Sequence, residues 1–350
     1  MKFGRLRPES PTSNFQRPTS NVQSQEMPEA QILSRTELDD TPPGHRSGFV
    51  AVVGKPNVGK STLLNAILGQ KIAIVSNKPQ TTRTRLRGIL TRPAAQIIFV
   101  DTPGIHQPRH RLDEHMVESA VQSIPDADAI VFLVDATGLP DAADRHIAKL
   151  IRERGADRPV ILALNKMDRL PPDRVKEHTE AYWSLAPTPE GGTPPGPWEW
   201  MMISALDGHN LDKLIDLIIA HLPEGPRYYP PDQVTDQQER DIAAELIREQ
   251  VLRHLRQEVP HAVAIVIDEY KERSPTLDYI AATIVVEKES QKGILIGKGG
   301  QRLRQIGADA RHEIERLVDK QVYLELQVTV RKNWREDERQ LKRMGYTTDH

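Results

Sequence analysis

Two patterns predict an α/β chain of two domains. From Gly48 to Pro223, short continuous apolar runs alternate with helix-length segments, as βα units around a mostly parallel sheet require. From Thr235 onward the pattern changes to α-β-β-α-α-β, a smaller α+β unit. The length agrees, since 350 residues correspond to about two domains of ~150 residues. No segment repeats at a period of about 20–50 residues, which excludes solenoids and tandem nucleotide-binding domains.

Residues 1–46 are rich in Pro, Ser, Thr, Gln and Asn, and their six basic and six acidic groups cancel. They cannot bury enough surface to offset the entropy of ordering, so a disordered tail without an assigned function is expected. Order begins at Gly48. The runs 49–53 (FVAVV), 96–100 (QIIFV), 129–134 (AIVFLV), 159–164 (PVILAL) and 200–203 (WMMI) read as strands buried on both faces. Helices are expected at 61–68, 141–154, 173–185 and 211–221. The Pro- and Gly-dense stretch 186–198 reads as a surface insertion. The expected boundaries are a first domain over 47–223, a linker over 224–235, a second domain over 236–332 and a C-terminal tail over 333–350. In the second domain, Thr235 and Gln238 suggest a capping box for a helix through Ile242, Leu246, Val251 and Leu255. Strands at 262–270 and 279–287 follow, then a short helix from Gly293 broken at 297–300, a longer helix to about 319, and a strand over 322–330.

Composition narrows the chemistry. With no cysteine there is no disulfide framework, thiolate zinc site or cysteine nucleophile. No run approaches the ~18 apolar residues of a membrane helix. Lys2, Arg5 and Arg7 are followed by no apolar segment that would make a secretory signal. A soluble cytoplasmic protein is expected. The 47 basic and 49 acidic residues nearly balance, which argues against a nucleic-acid binder unless basic groups concentrate locally.

Gly54-Lys55-Pro56-Asn57-Val58-Gly59-Lys60-Ser61 fits G-x-x-x-x-G-K-[ST] between a buried strand and a helix. Backbone amides curling around this loop make a phosphate nest at a helix N-terminus, with Thr62 adjoining it. Lys60 would reach the β- and γ-phosphates, and the Ser61 hydroxyl would coordinate Mg2+. The loop alone leaves a kinase or an ATPase open. Asn165-Lys166-Met167-Asp168, directly after the 159–164 strand, points to guanine. The Asp168 carboxylate can accept from N1–H and the 2-amino group together, and adenine would leave it unpaired. Asn165 would hold the loop and the base edge, Lys166 would lie on the purine face, and Ser204-Ala205 would offer an amide to O6.

Asp101-Thr102-Pro103-Gly104 follows the 96–100 strand, with Asp101 suited to the magnesium site and the Gly104 amide to the γ-phosphate. In Gln80-Thr81-Thr82-Arg83, a polar stretch without a clear period, a threonine would close over Mg2+ and γ-phosphate in the triphosphate state. Thr82 is favoured, with Thr81 the alternative. Lys60, Thr82 and Gly104 are thus the catalytic candidates, and Ser61, Thr82 and Asp101 the metal candidates. Ile105 follows Gly104, and it cannot orient water by hydrogen bonding, so slow unaided turnover is expected. Asn57 is a candidate ligand for K+, or equally a residue that stiffens the loop.

Residues 293–300 read GILIGKGG, and a Gly-x-x-Gly turn between helices lets a nucleic-acid backbone approach closely. Its place in the α-β-β-α-α-β order is that of a type II KH domain. Lys288, Lys292, Lys298, Arg302 and Arg304 surround it against Glu289 alone. Lys292, Gly297, Lys298, Gly299, Gly300 and Arg302 are the RNA-binding candidates.

Taken together, GKPNVGKST, QTTR, DTPG, NKMD, ISA, AAELIREQ, EVPHAVAIVIDEY, SQKGILIGKGG and VRKNWREDE resemble the bacterial Era family of GTPases over about residues 47–345. That resemblance implies a Ras-like P-loop G domain followed by a type II KH domain. It also implies GTP hydrolysis with Mg2+, GTP and GDP as ligands, and binding of the 3′ region of 16S rRNA during small (30S) subunit maturation. A monomer is expected, in the cytoplasm or peripherally on the cytoplasmic face of the inner membrane. The main rival is a nucleotide-regulated binding module with negligible turnover. A tRNA-modifying GTPase is disfavoured by the absence of cysteine. Because residues 236–350 hold 20 basic and 21 acidic groups, RNA contact is expected to rest on the shaped loop rather than on long-range attraction.

Overall fold

A computed structural model describes residues 41–76, 78, 81–155, 158–187, 198–255 and 262–346. Most of the expected 1–46 tail, the middle of the 186–198 insertion and Gln80 lie outside the described residues. The first domain is built on β1 (Arg46–Val53), β2 (Leu86–Arg92), β3 (Ala95–Asp101), β4 (Ala129–Asp135), β5 (Val160–Asn165) and β6 (Glu199–Met202). They form one sheet in the order β2-β3-β1-β4-β5-β6, parallel except for β2 against β3. Helices α1 (Lys60–Leu68), α2 (Arg111–Gln122), α3 (Ala142–Arg154), α4 (Val175–Trp183) and α5 (Leu211–His221) connect and cover it.

Alternation along β1 divides the core between the two faces of the sheet. Val50 and Val52 pack with Leu63, Ile97, Leu214 and Ile218, while Ala51 and Val53 pack with Ile130, Phe132, Ile147 and Tyr182. Both layers are buried, which explains why the strands read as unbroken apolar runs.

β2 and α2 are not among the elements expected from sequence. β2 is an antiparallel edge, and Leu86, Gly88 and Leu90 are enough to cover its face toward α1. In α2, Leu112, Met116 and Ala120 recur every four residues and make a narrow buried stripe within a polar segment.

The second domain comprises α6 (Glu239–His254), β7 (Ala264–Ser274), β8 (Leu277–Val286), α7 (Glu289–Ile296), α8 (Gln301–Val318) and β9 (Gln321–Val330). Its sheet order is β7-β8-β9, with β8 and β9 parallel, and the helices cover one face through Leu246, Ile284, Leu295, Ile306 and Ile314. The expected α-β-β-α-α-β order is observed. Thr235, however, does not cap α6. Its hydroxyl donates to the Arg87 carbonyl on β2, and Gln238 occupies the N-cap without a side-chain bond.

Residues 224–235, expected as a linker, are strapped to the first domain. Ser47 Oγ donates to the Pro226 carbonyl, Gln96 Nε2 to the Tyr229 carbonyl and Ile89 N to the Val234 carbonyl, at 2.6, 2.8 and 2.8 Å. Residues 333–346, read from sequence as part of a tail, are also folded. A 3-10 turn (Trp334–Glu336) and α9 (Glu338–Arg343) place Trp334 and Leu341 in a cluster with Leu112 and Met116 of α2 and Ala264 and Val285 of the second sheet. Trp334 is fully buried and donates Nε1–H to the Ala262 carbonyl at 3.1 Å, so this segment is the wedge that joins the domains. No helix among the described residues is long and apolar enough to cross a membrane.

Candidate nucleotide and nucleic-acid sites

Loops at the carboxyl ends of β1, β3 and β5 enclose a cavity of about 300 Å3, the position where open α/β sheets take ligands. The loop 54–59 joins β1 to α1 without room for side chains at two points. A Cβ on Gly54 would meet the Leu133 carbonyl oxygen at 2.3 Å, and one on Gly59, whose φ is +106°, would meet Asn165 Nδ2 at 2.4 Å. Val58 is buried beneath the loop. Lys60 is almost wholly enclosed, and its ammonium donates to the carbonyls of Gly54 and Lys55 at 3.2 and 2.9 Å. These are the loop's own acceptors, and they hold the charge where a phosphate would sit. Burial lowers the Lys60 pKa to about 8.

Ser61, Thr82 and Asp101 come together from three segments. Ser61 Oγ donates to Asp101 Oδ2 at 2.8 Å and lies 2.9 Å from Thr82 Oγ1. Asp101 Oδ1 is buried with no hydrogen-bond partner among the described residues, and burial raises the pKa of this carboxylate to about 6. Two hydroxyls and an under-satisfied carboxylate are hard oxygen donors, so the set fits Mg2+. Thr81 also borders the cavity, but its hydroxyl donates to the Lys78 carbonyl at 2.6 Å. Thr102 is buried and donates to the Val52 carbonyl at 2.9 Å. Pro103 leads into Gly104, which lies against the phosphate loop so closely that a Cβ would meet Pro56 N at 2.5 Å. Ile105 is buried in the core and points away from the cavity.

Asn165 links two loops. Its Nδ2 donates to the Val58 carbonyl at 2.8 Å, and its Oδ1 accepts from Ala205 N at 2.9 Å. Lys166, held at a φ of +67°, reaches the Asn57 carbonyl and Asp135 at 2.9 and 2.5 Å. Asp168 accepts from the Ser204 hydroxyl at 2.7 Å and faces the cavity beside Arg169.

Lys55 is the exception in its loop. Its ammonium leaves the cavity to pair with Asp141 and Asp144 at the N-terminus of α3, each at 2.8 Å. Asp141 and Asp144 form a capping box with each other, and Asp144 is fully buried. Neither acid is among the residues expected from sequence, nor is Asp135. The P-D-A-A-D spacing signals the capping box, but nothing local indicates that Lys55 docks on it.

In the second domain, Gly297, Gly299 and Gly300 all have positive φ (+72°, +57° and +75°), a conformation that favours glycine. The turn opens onto a groove of about 540 Å3 between α8 and the edge strand β9. Gly299 and Gly300 line it, and Lys298 is exposed beside them. Lys292 and Arg302 are not among the residues lining it, and Arg302 donates back to the Ile294 carbonyl. Arg304, Gly307, Arg311 and Tyr323 line the groove and are additions to the sequence-derived set. The small pair Gly307-Ala308, which opens space on α8 beside β9, is the signal that could have located it.

Comparison with known proteins agrees with both domains. Residues 49–166 match the family described as 50S ribosome-binding GTPase, and residues 258–335 match the KH domain family. The chain is 48% identical to GTPase Era of Nostoc sp., over 91% of this chain and 95% of that one. It is 50% identical to GTPase Era of Geobacter metallireducens, over 89% of this chain and 100% of the other.

The chain belongs to the Era family of GTPases.

Era crystal structures share the architecture. One, of Era in complex with MgGDPNP and nucleotides 1506–1542 of 16S ribosomal RNA, superimposes with a TM-score of 0.80 at 41% identity, covering 87% of this chain and 100% of that one. A variant of Aquifex aeolicus Era bound to GDP·AlF4− matches with the same score, identity and coverage. As an Era-family enzyme, the chain is a Mg2+-dependent GTPase built from a Ras-like G domain and a KH domain.

Proposed function

We propose that this Era-family GTPase is a cytoplasmic, monomeric switch that holds the 3′ region of 16S rRNA in its KH groove while GTP is bound, in maturation of the small ribosomal subunit. The observation that carries this is the chain's continuity across the boundary. Thr82 faces Ser61 and Asp101, while its neighbours Thr81 and Arg83 bond residues of the second domain. A change at the γ-phosphate therefore pulls on the RNA-binding half.

In the same proposal, the amides of 54–62 and the Lys60 ammonium bind the phosphates. Ser61, Thr82 and Asp101 hold Mg2+, which would supply positive charge against the charge that develops on phosphate oxygens. The Gly104 amide reads the γ-phosphate. Asn165, Lys166, Asp168, Ser204 and Ala205 read guanine. Asp168 has its partner Ser204 already in place, which supports pre-organisation for N1–H and the 2-amino group. Gly297, Lys298, Gly299 and Gly300 clamp the RNA backbone, joined by Arg304 and Arg311 along the groove. Lys292 and Arg302 are assigned to phosphates at its rim.

Because Ile105 is buried, water is not oriented from that position, and a monovalent cation near Asn57 is proposed to assist. Hydrolysis should be faster in K+ than in Na+, and equal rates would overturn that role. The function as a whole is tested by single-turnover hydrolysis with and without a 16S 3′-end oligonucleotide. Stimulation supports the switch; unstimulated and very slow turnover would instead support a binding module.

A further inference from the structure

The Gly104–Ile105 peptide is gripped from both sides. Its N–H, on Ile105, donates to the Gly54 carbonyl at 3.2 Å, and its C=O, on Gly104, accepts from His106 Nδ1 at 2.7 Å. The first bond ties the turn to the phosphate loop. The second depends on a side chain that is itself oriented. His106 Nε2 faces Asp113 of α2 at 3.8 Å, and Asp113 is buried and accepts from Arg109 N at 2.9 Å. The ring is half-buried, and the pairing with Asp113 raises its pKa, which keeps both nitrogens supplied with protons over a wider range.

Glycine at 104 is enforced by the Pro56 contact, so the turn carries no side chain of its own to fix its backbone. A glycine whose next peptide is free can rotate about ψ, and its own amide then loses aim. Bonding that peptide at both ends removes this freedom before substrate arrives, which is pre-organisation of a donor. The need is greater here because Ile105 contributes no polar group.

We propose that His106, oriented by Asp113, is a positioning residue for GTP hydrolysis: by holding the Gly104 carbonyl it aims the Gly104 amide at the γ-phosphate. The inference rests on the proposed γ-phosphate role of Gly104.

Three variants test it by single-turnover hydrolysis, with GDP affinity as the control for folding. His106→Asn places Nδ2–H where the imidazole Nδ1–H stands, His106→Gln places its amide where Nε2 stands, and His106→Leu has no donor. Loss of one aimed hydrogen bond predicts hydrolysis slowed about tenfold in His106→Leu and His106→Gln, with GDP affinity unchanged and His106→Asn close to the parent rate. Equal slowing of all three, or parent rates in His106→Leu, would overturn the proposal. Should His106→Leu fail to bind GDP, His106→Asn against His106→Gln decides by the same ordering. Gly104→Ala separates the underlying reading: GTP affinity and turnover at parent levels there would refute the role of Gly104 itself, whatever the histidine variants do.

Discussion

Arg83 Nη1 donates to the Val263 carbonyl at 2.6 Å, so the residue beside Thr82 is anchored in the KH domain. The guanidinium is buried and lies 5.9 and 5.8 Å from the ring centres of Trp334 and Tyr346. Arg248 of α6 holds the Thr81 carbonyl, and Lys78 reaches the carbonyls at the end of α6. Lys71 pairs with Glu249 and Glu313 at 2.6 and 2.7 Å. The described residues between 71 and 83 thus face the nucleotide cavity on one side and the KH domain on the other.

Replacing Arg83 should uncouple the domains. Arg83→Ala removes a buried, hydrogen-bonded charge and should destabilise the protein by about 2–4 kcal/mol, read by denaturant unfolding. It should leave GTP hydrolysis measurable while abolishing the dependence of RNA affinity on nucleotide. Retention of the parental ratio of RNA affinities would refute this route.

Nucleotide binding should depend on pH in a bell. Asp101 titrates at about 6 in the ligand-free protein, and Mg2+ requires the carboxylate, so binding below that pH must expel a proton and weakens as pH falls. Lys60 titrates at about 8 and is needed as a cation, so binding weakens again as pH rises above 8. Calorimetry of Mg2+–GDP binding in buffers of different ionisation enthalpy should show proton release near pH 6 and uptake near pH 8. Flat, buffer-independent heats across that range would contradict it.

The Lys55 anchor should be separable from phosphate contact. Asp144→Ala removes the buried acceptor for Lys55 and half of the α3 capping box, a loss of about 1–3 kcal/mol. Nucleotide affinity should fall about tenfold through displacement of the loop, and Asp141→Ala, at an exposed acid, should cost less. Equal effects of the two would show that the buried partner has no special role.

Asp168→Asn should move base preference from guanine toward xanthine, because an amide exchanges one acceptor for a donor. Competition of GTP against XTP measures it, and unchanged guanine preference would refute the role of Asp168.

Much of the nucleotide site was legible because its requirements are local. Gly54, Gly59, Lys60 and Ser61 lie close together in one loop and the helix start that follows it, and Asp101 and Asn165 end apolar runs that read as buried strands. Between Thr81 and Thr82 the sequence favours Thr82 but keeps Thr81 as the alternative, and the contact that supports Thr82 comes from Ser61, about twenty residues away in the chain. What escaped is long-range. Arg83 meets Val263 from 180 positions away, and Lys55 meets Asp144 from 89 positions away. Thr235 has the spacing of a capping residue, but β2 offered its hydroxyl a carbonyl instead. Trp334 reads as tail because its partners Leu112 and Met116 lie on a helix with too narrow an apolar stripe to stand out.

The most direct test of the coupled switch is the affinity of a 16S rRNA 3′-end oligonucleotide for the full chain, measured with a non-hydrolysable GTP analogue and with GDP. Tighter binding in the triphosphate state is predicted, with RNA tightening the analogue by the same factor, as linkage requires. The difference should vanish when Lys298 and Gly300 are replaced, with nucleotide affinity intact. Equal RNA affinity in both nucleotide states would contradict the account.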